Sequence, residues 1–206
     1  MSVVVFDSHG EQVARLNLGN LSSPSREFLD CDVNVALEQR SIDLKSISAF
    51  EVVALADDDR VPTRINHQLI YGQKDALCAS INVSLANPGD FSPSGRQKMC
   101  WGQMIVSDEI VSDLGIVLDT SNESVTSVEV AFYDGGGLLN TINRKIGQGR
   151  ALRLSTLKDS REMFGGASAL ADSPVWYTIK AREHNISAFV VSRNIRTGHC
   201  SGEHSY

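Results

Sequence analysis

One phrase occurs twice in this chain, and it constrains the fold more than any other feature. Val3-Val4-Val5-Phe6-Asp7-Ser8-His9-Gly10-Glu11-Gln12-Val13 is an apolar run broken by an Asp/Gly turn. Val128-Glu129-Val130-Ala131-Phe132-Tyr133-Asp134-Gly135-Gly136-Gly137-Leu138-Leu139 has the same layout. Each is followed, some tens of residues later, by Ile-Ser-Ala-Phe running into valines: Ile47 to Val53, and Ile186 to Val191. An aromatic before an Asp/Gly turn, with alternating residues on both sides, is the pattern of a β-hairpin. The chain is therefore expected to be built of strands and turns. The repeat also raises the expectation of two similar β halves, against the alternative that a short tetrapeptide recurs without duplication.

Reading along the chain extends this pattern. The first hairpin is expected from Ser2 to Leu18, with Gly10 taking the positive φ that such a turn needs. Cys31-Asp32-Val33-Asn34-Val35-Ala36-Leu37 alternates strictly, which predicts a half-buried strand. Ile42 to Ile47 reads as one helical turn or a bend, and Ala49 to Leu55 as a buried strand ended by Asp57-Asp58-Asp59. Arg64 to Tyr71 and Ala76 to Leu85 read as a strand pair, and Cys100 to Val106 and Ile110 to Leu118 as apolar segments flanked by acids. The second hairpin is expected from Val125 to Arg144. Met163, Phe164, Ala167 and Leu170 have helix-like spacing, but Gly165-Gly166 between them opposes a stable helix. Trp176 to Ala181 and Ile186 to Val191 predict two more strands.

Short strands between Gly, Asn, Asp and Ser turns favour an antiparallel β-sandwich or barrel, and no βαβ alternation points to a doubly wound sheet. The expected class is all-β: an antiparallel β-sandwich of jelly-roll or Ig-like style. Breakers are most concentrated from Asn87 to Arg96. The expected organisation is a β-rich half over 2–86, a loop or linker over 87–99, a second β-rich half over 100–193, and a mobile or edge-associated polar tail over 194–206.

Composition narrows the function classes. A chain of 206 residues buries roughly 70% of its unfolded surface and needs no staple for stability. Its net charge of −6 is spread without a long acidic or basic run, so it lacks the electrostatic footprint of a nucleic-acid binder. No stretch approaches the about 18 apolar residues of a membrane helix. The start lacks a basic segment and meets an acid at Asp7, unlike a signal peptide. Two expectations about location follow: an exported or surface protein whose leader has been removed, or a cytoplasmic one. Cys31, Cys78, Cys100 and Cys200 suit either two disulfides or free thiols.

The enzymatic signatures are missing. The chain has no Gly-x-Gly-x-x-Gly after a strand, no Walker loop, no Gly-x-Ser-x-Gly elbow and no His-Glu-x-x-His. Gly135-Gly136-Gly137 leads into a strand pattern, which makes it a hairpin turn rather than a phosphate cradle. His9, His67 and His184 remain as isolated candidates for acid–base work.

Two metal readings can be drawn. His199, Cys200 and His204 in the tail combine imidazole and thiolate, which suit zinc, although the known ligand spacings are not matched. Asp57, Asp58 and Asp59 offer hard oxygens for calcium, without the Asp-x-Asp-x-Asp-Gly loop.

Binding rests on the aromatics. Sugar-binding β-sandwiches stack pyranose rings on exposed Trp and Tyr faces, and Trp101, Tyr71, Trp176 and Tyr177 are the candidates here. Adjacent strand residues point to opposite sides, so of Trp176 and Tyr177 one is expected to face out and the other in. The expected function is a non-enzymatic binding or structural module, exported or surface-borne, with a glycan or protein partner and a role such as cell adhesion. The alternatives are a hydrolase-like or metal-dependent enzyme with loop-borne residues, and an oligomeric subunit of a phage or surface assembly.

Overall fold

Both copies of the repeated phrase form hairpins, and the same device holds each turn. The computed structural model of the chain describes residues 1–20, 29–54, 66–72, 75–84, 98–118, 126–147, 151–166, 173–181 and 186–205. Strands β1 (Ser2–Asp7) and β2 (Gln12–Asn17) form the first hairpin. The Asp7 carboxylate accepts from the backbone N–H groups of His9 and Glu11 at 2.8 and 3.0 Å, and Gly10 follows with φ +79°. In the second copy, Asp134 Oδ1 accepts from Gly136 N–H at 2.8 Å. A short carboxylate that bonds its own backbone two residues on stands in for part of the ladder where the chain reverses.

The chain divides into two compact units, Met1–Ile65 with Gly147–Arg150, and Asn66–Ile146 with Ala151–Tyr206. The boundary expected at 87–99 falls mostly on residues outside those described, and the units part at Ile65/Asn66.

The first unit holds a three-stranded antiparallel sheet of order β2-β1-β3, with β3 at Ile47–Val53. Here the structure corrects one sequence expectation. The alternating segment from Cys31 to Leu37 is not a strand; Val33–Glu38 is a helix, α1. Asp32 caps it, accepting from Val35 N–H at 3.1 Å, and a side-chain acceptor there satisfies one of the orphan donors of the first turn. Val33, Ala36 and Leu37 stand at i, i+3 and i+4; Leu37 shares one core cluster with Val3, Val5, Ala14 and Leu16, and Val33 and Ala36 pack against that cluster. The same residues thus fit both periods, and contact with the sheet selects the helical one. A 3-10 turn at Leu44–Ser46, capped by Asp43, leads into β3.

Among the described residues, every strand pairing in the second unit is antiparallel. A hairpin of β4 (Asn66–Tyr71) and β5 (Ala79–Ser84) precedes two four-stranded sheets. One has the order β6-β11-β8-β9, from β6 (Lys98–Val106), β8 (Thr126–Asp134), β9 (Gly137–Ile146) and β11 (Ser173–Ala181). The other has the order β10-β7-β12-β13, from β7 (Ile110–Leu118), β10 (Ala151–Ser155), β12 (Ile186–Asn194) and β13 (Cys200–His204). The chain is all-β, and both sheets contribute to one core: Met104, Phe132 and Ile179 from the first, Leu114, Ile116 and Val190 from the second. Truncating a buried Leu or Ile in such a core to Ala costs about 2–5 kcal/mol.

Among the described residues of this unit the helix content is one turn, α2 (Ser160–Met163). It stops where Gly165 and Gly166 take φ +65° and +81°. Its Met163, with Phe164 just after it, is buried in the core, and Phe164 meets Phe132 edge-on at 5.6 Å. The tail is an edge element: β13 pairs with β12.

Buried polar groups tie the sheets together. Ser112 Oγ of β7 donates to Ile105 O of β6 at 2.7 Å, so the Ser192 hydroxyl of β12, also 2.7 Å away, is the donor in the second bond. Tyr177 of β11 bonds Ser205 Oγ through its hydroxyl at 2.6 Å, and Ser205 N–H donates to Ala188 O.

The repeated phrases do not occupy equivalent places. In the first unit the Ile-Ser-Ala-Phe strand β3 pairs directly with β1 of the hairpin. In the second, Ile-Ser-Ala-Phe begins β12, which pairs with β7 and β13 in the sheet that lacks the hairpin.

Candidate binding face

Trp176 and Tyr177 do point to opposite sides, and a glycine decides which goes where. Tyr177 lies across from Gly102 in the β11–β6 ladder. A Cβ on Gly102 would collide with the Tyr177 hydroxyl, so the glycine leaves the room that the phenol takes beneath β6. Tyr177 is consequently 1% exposed. Burial pushes its phenol up to about 12, helped by the charges of Glu203 and Cys100 and opposed by the Ser205 hydrogen bond. Tyr177 is thus a core residue, which corrects its expected place on a ligand platform.

With Tyr177 inward, alternation places Trp176 outward, and Trp101 and Gln103, the neighbours of Gly102, outward on β6. Trp101 and Trp176 are 44% and 45% exposed. Their ring centroids are 6.2 Å apart with planes tilted by 35°. The register makes a four-cornered pattern: Trp176 opposes Gln103, and Trp101 opposes Thr178. Each indole therefore has a hydrogen-bonding side chain across from it and the other indole on the diagonal. Met99 and Ile105 continue the outward row of β6, 57% and 45% exposed. Further along this face, Lys180 pairs with Glu129 at 3.4 Å.

The other candidates are not brought to this face. Tyr71 ends β4 in the hairpin, half-buried, and burial raises its phenol. Asp57, Asp58, Asp59 and His184 lie outside the described residues. His9 is exposed in the first turn. His199 is exposed ahead of β13, while the His204 ring meets Phe189 edge-on at 5.2 Å and Cys200 Sγ donates to Gly198 O at 3.5 Å. Among the described residues no three His, Cys, Asp or Glu side chains gather to hold a metal ion, so the zinc and calcium readings have no assembled ligand set there. The four cysteines are not joined by disulfides, and no described helix is long and apolar enough to cross a membrane.

Sequence reasoning missed Gln103 and Thr178. Neither type stands out in a strand, and what singles them out is the register that sets each against a tryptophan. In comparisons with known proteins, no family model, no curated protein and no solved structure matches the chain. What the face can hold follows from its chemistry. Paired indoles offer flat apolar surface with a polar edge, and the flanking amide and hydroxyl offer directional bonds.

Proposed function

We propose that this chain is a non-enzymatic binding module that takes a glycan on the outward face of β6 and β11. The observation that carries this reading is the Trp101–Trp176 pair, half-exposed and 6.2 Å apart. A pyranose ring has apolar C–H faces and an equatorial rim of hydroxyls. Indoles take the faces, while Gln103 and Thr178 stand where the rim hydroxyls would be.

Both tryptophans of the chain lie in this face, so tryptophan fluorescence, excited selectively over tyrosine, reports on it. Native gels containing cellulose derivative, chitin derivative, xylan or mannan should retard the protein with at least one polymer, and that polymer should shift the fluorescence saturably. Trp101→Ala and Trp176→Ala should each weaken binding about tenfold, the equivalent of about 1.4 kcal/mol. Absence of both effects with every polymer would end the glycan reading.

Met99 and Ile105 favour a second reading, an apolar protein surface as partner, including another copy of this chain in an assembly. Light scattering decides that version: a discrete oligomer dispersed by Met99→Glu supports it, and a strict monomer counts against it.

A further inference from the structure

The exposed row does not end at the two indoles. Tyr133 of β8 lies directly opposite Trp176, half-buried on the same outward side. Across from Tyr133 stands Leu138 of β9, exposed. A bulge makes this row. The β8–β9 ladder pairs Phe132 with Asn140 and then Tyr133 with Leu138, leaving Leu139 as the extra residue. Leu139 packs on the core, so Leu138 rather than Leu139 takes the place opposite Tyr133. Bulges commonly re-aim a side chain in this way.

Trp101, Trp176 and Tyr133 therefore stand on three consecutive strands, β6, β11 and β8. Neighbouring strands are about 4.8 Å apart, so the aromatic stations advance across the sheet in steps comparable to one sugar ring. The side chains opposite them are uncharged: Gln103 and Thr178 across from the indoles, and Leu138 across from Tyr133. The charged pair further along, Lys180 and Glu129, neutralises itself. Lys145 of β9, exposed opposite Ser127, lies on this side of the sheet only at its far end, so the aromatic stations complement a neutral ligand and give a charged one no counter-charge beside them.

Resting on the glycan reading above, we infer that the ligand is a neutral linear oligosaccharide lying across the strands, in contact with Trp101, Trp176 and Tyr133 together. Tyr133 is then a binding residue, and the chain length that the site recognises is three rings. A monosaccharide meets one station at a time, and a longer chain gains nothing beyond the third.

The test is a length series on the full chain: glucose, cellobiose, cellotriose and cellohexaose, with the chitin and mannan series alongside, read by intrinsic tryptophan fluorescence. Affinity should rise up to about tenfold per added ring as far as the trisaccharide and then level off. Tyr133→Ala should remove the step from two rings to three and leave the disaccharide unchanged, while Tyr133→Phe keeps the whole series. A thermal melt shows whether Tyr133→Ala is folded; if it is not, the length series of the unmodified chain decides alone. If a polymer binds but the trisaccharide is no tighter than the monosaccharide, or folded Tyr133→Ala binds all lengths normally, this inference is overturned and the glycan reading stands. If neither polymers nor oligosaccharides bind, both fall.

Discussion

Tyr177 shows how much a single side chain can decide in this protein. Its ring fills the space left by Gly102, its hydroxyl bonds Ser205, and its inward direction is what turns Trp176 outward. Because burial raises the phenol from 10.0 to about 12, the linkage has a definite sign. Below the unfolded value the group is neutral in both states and its contribution is fully present. Between about pH 10 and 12 the unfolded chain gives up the proton and the folded one keeps it, so stability falls by about 1.4 kcal/mol per pH unit. Urea unfolding of the wild type and of Tyr177→Phe from pH 9 to 12 should show this extra slope in the wild type only; parallel curves would refute it. Cys31 is a second residue-scale case. Burial raises its thiol, followed by the neighbouring charges of Asp30 and Asp32, with Arg40 opposing. Since the thiolate is the nucleophile, native alkylation near pH 8 should reach the exposed Cys78 before Cys31, as peptide mapping over time would reveal.

At the scale of elements, what was legible in the sequence was what local chemistry determines. The turns at Asp7 and Asp134 are readable because a carboxylate and a following glycine act within four residues. Asp7→Ala and Asp134→Ala should each destabilise by about 1 kcal/mol, measured by chemical denaturation. The helix α1 was not legible, because Val33 and Leu37 satisfy a strand period and a helix period at once. Its only local marker was Asp32, whose cap is worth about 0.5–2 kcal/mol. Between elements, Ser112→Ala should cost about 1–3 kcal/mol, since it takes the partner from Ile105 O and from the buried Ser192 hydroxyl. A loss no larger than that of an exposed Ser→Ala would show that the link between β6, β7 and β12 contributes little.

For the whole molecule, the informative contact is the one where β5 crosses β13. A Cβ on Gly202 would come within 2.9 Å of the Ile81 side chain and 3.3 Å of Ala79. Gly202→Val should therefore overpack this contact and cost about 1–3 kcal/mol, read as a lowered melting temperature; an unchanged melt would mean that the hairpin yields freely. The candidate site was half legible. Trp101 and Trp176 could be picked out as aromatics in strands, but their adjacency, and the places of Gln103, Thr178 and Tyr133 beside them, exist only through the β6–β11–β8 register. The repeated phrase marks the same limit, since β3 pairs with its hairpin whereas β12 joins the other sheet. By itself, the sequence determined the all-β class, the hairpins and their turns, because alternation and turn chemistry act over a few neighbouring residues. The tertiary structure alone decided which strands pair, that Cys31 to Leu37 holds a helix, and which rings face out. Those outcomes depend on contacts between residues far apart in the chain, where packing chooses among local conformations of similar energy.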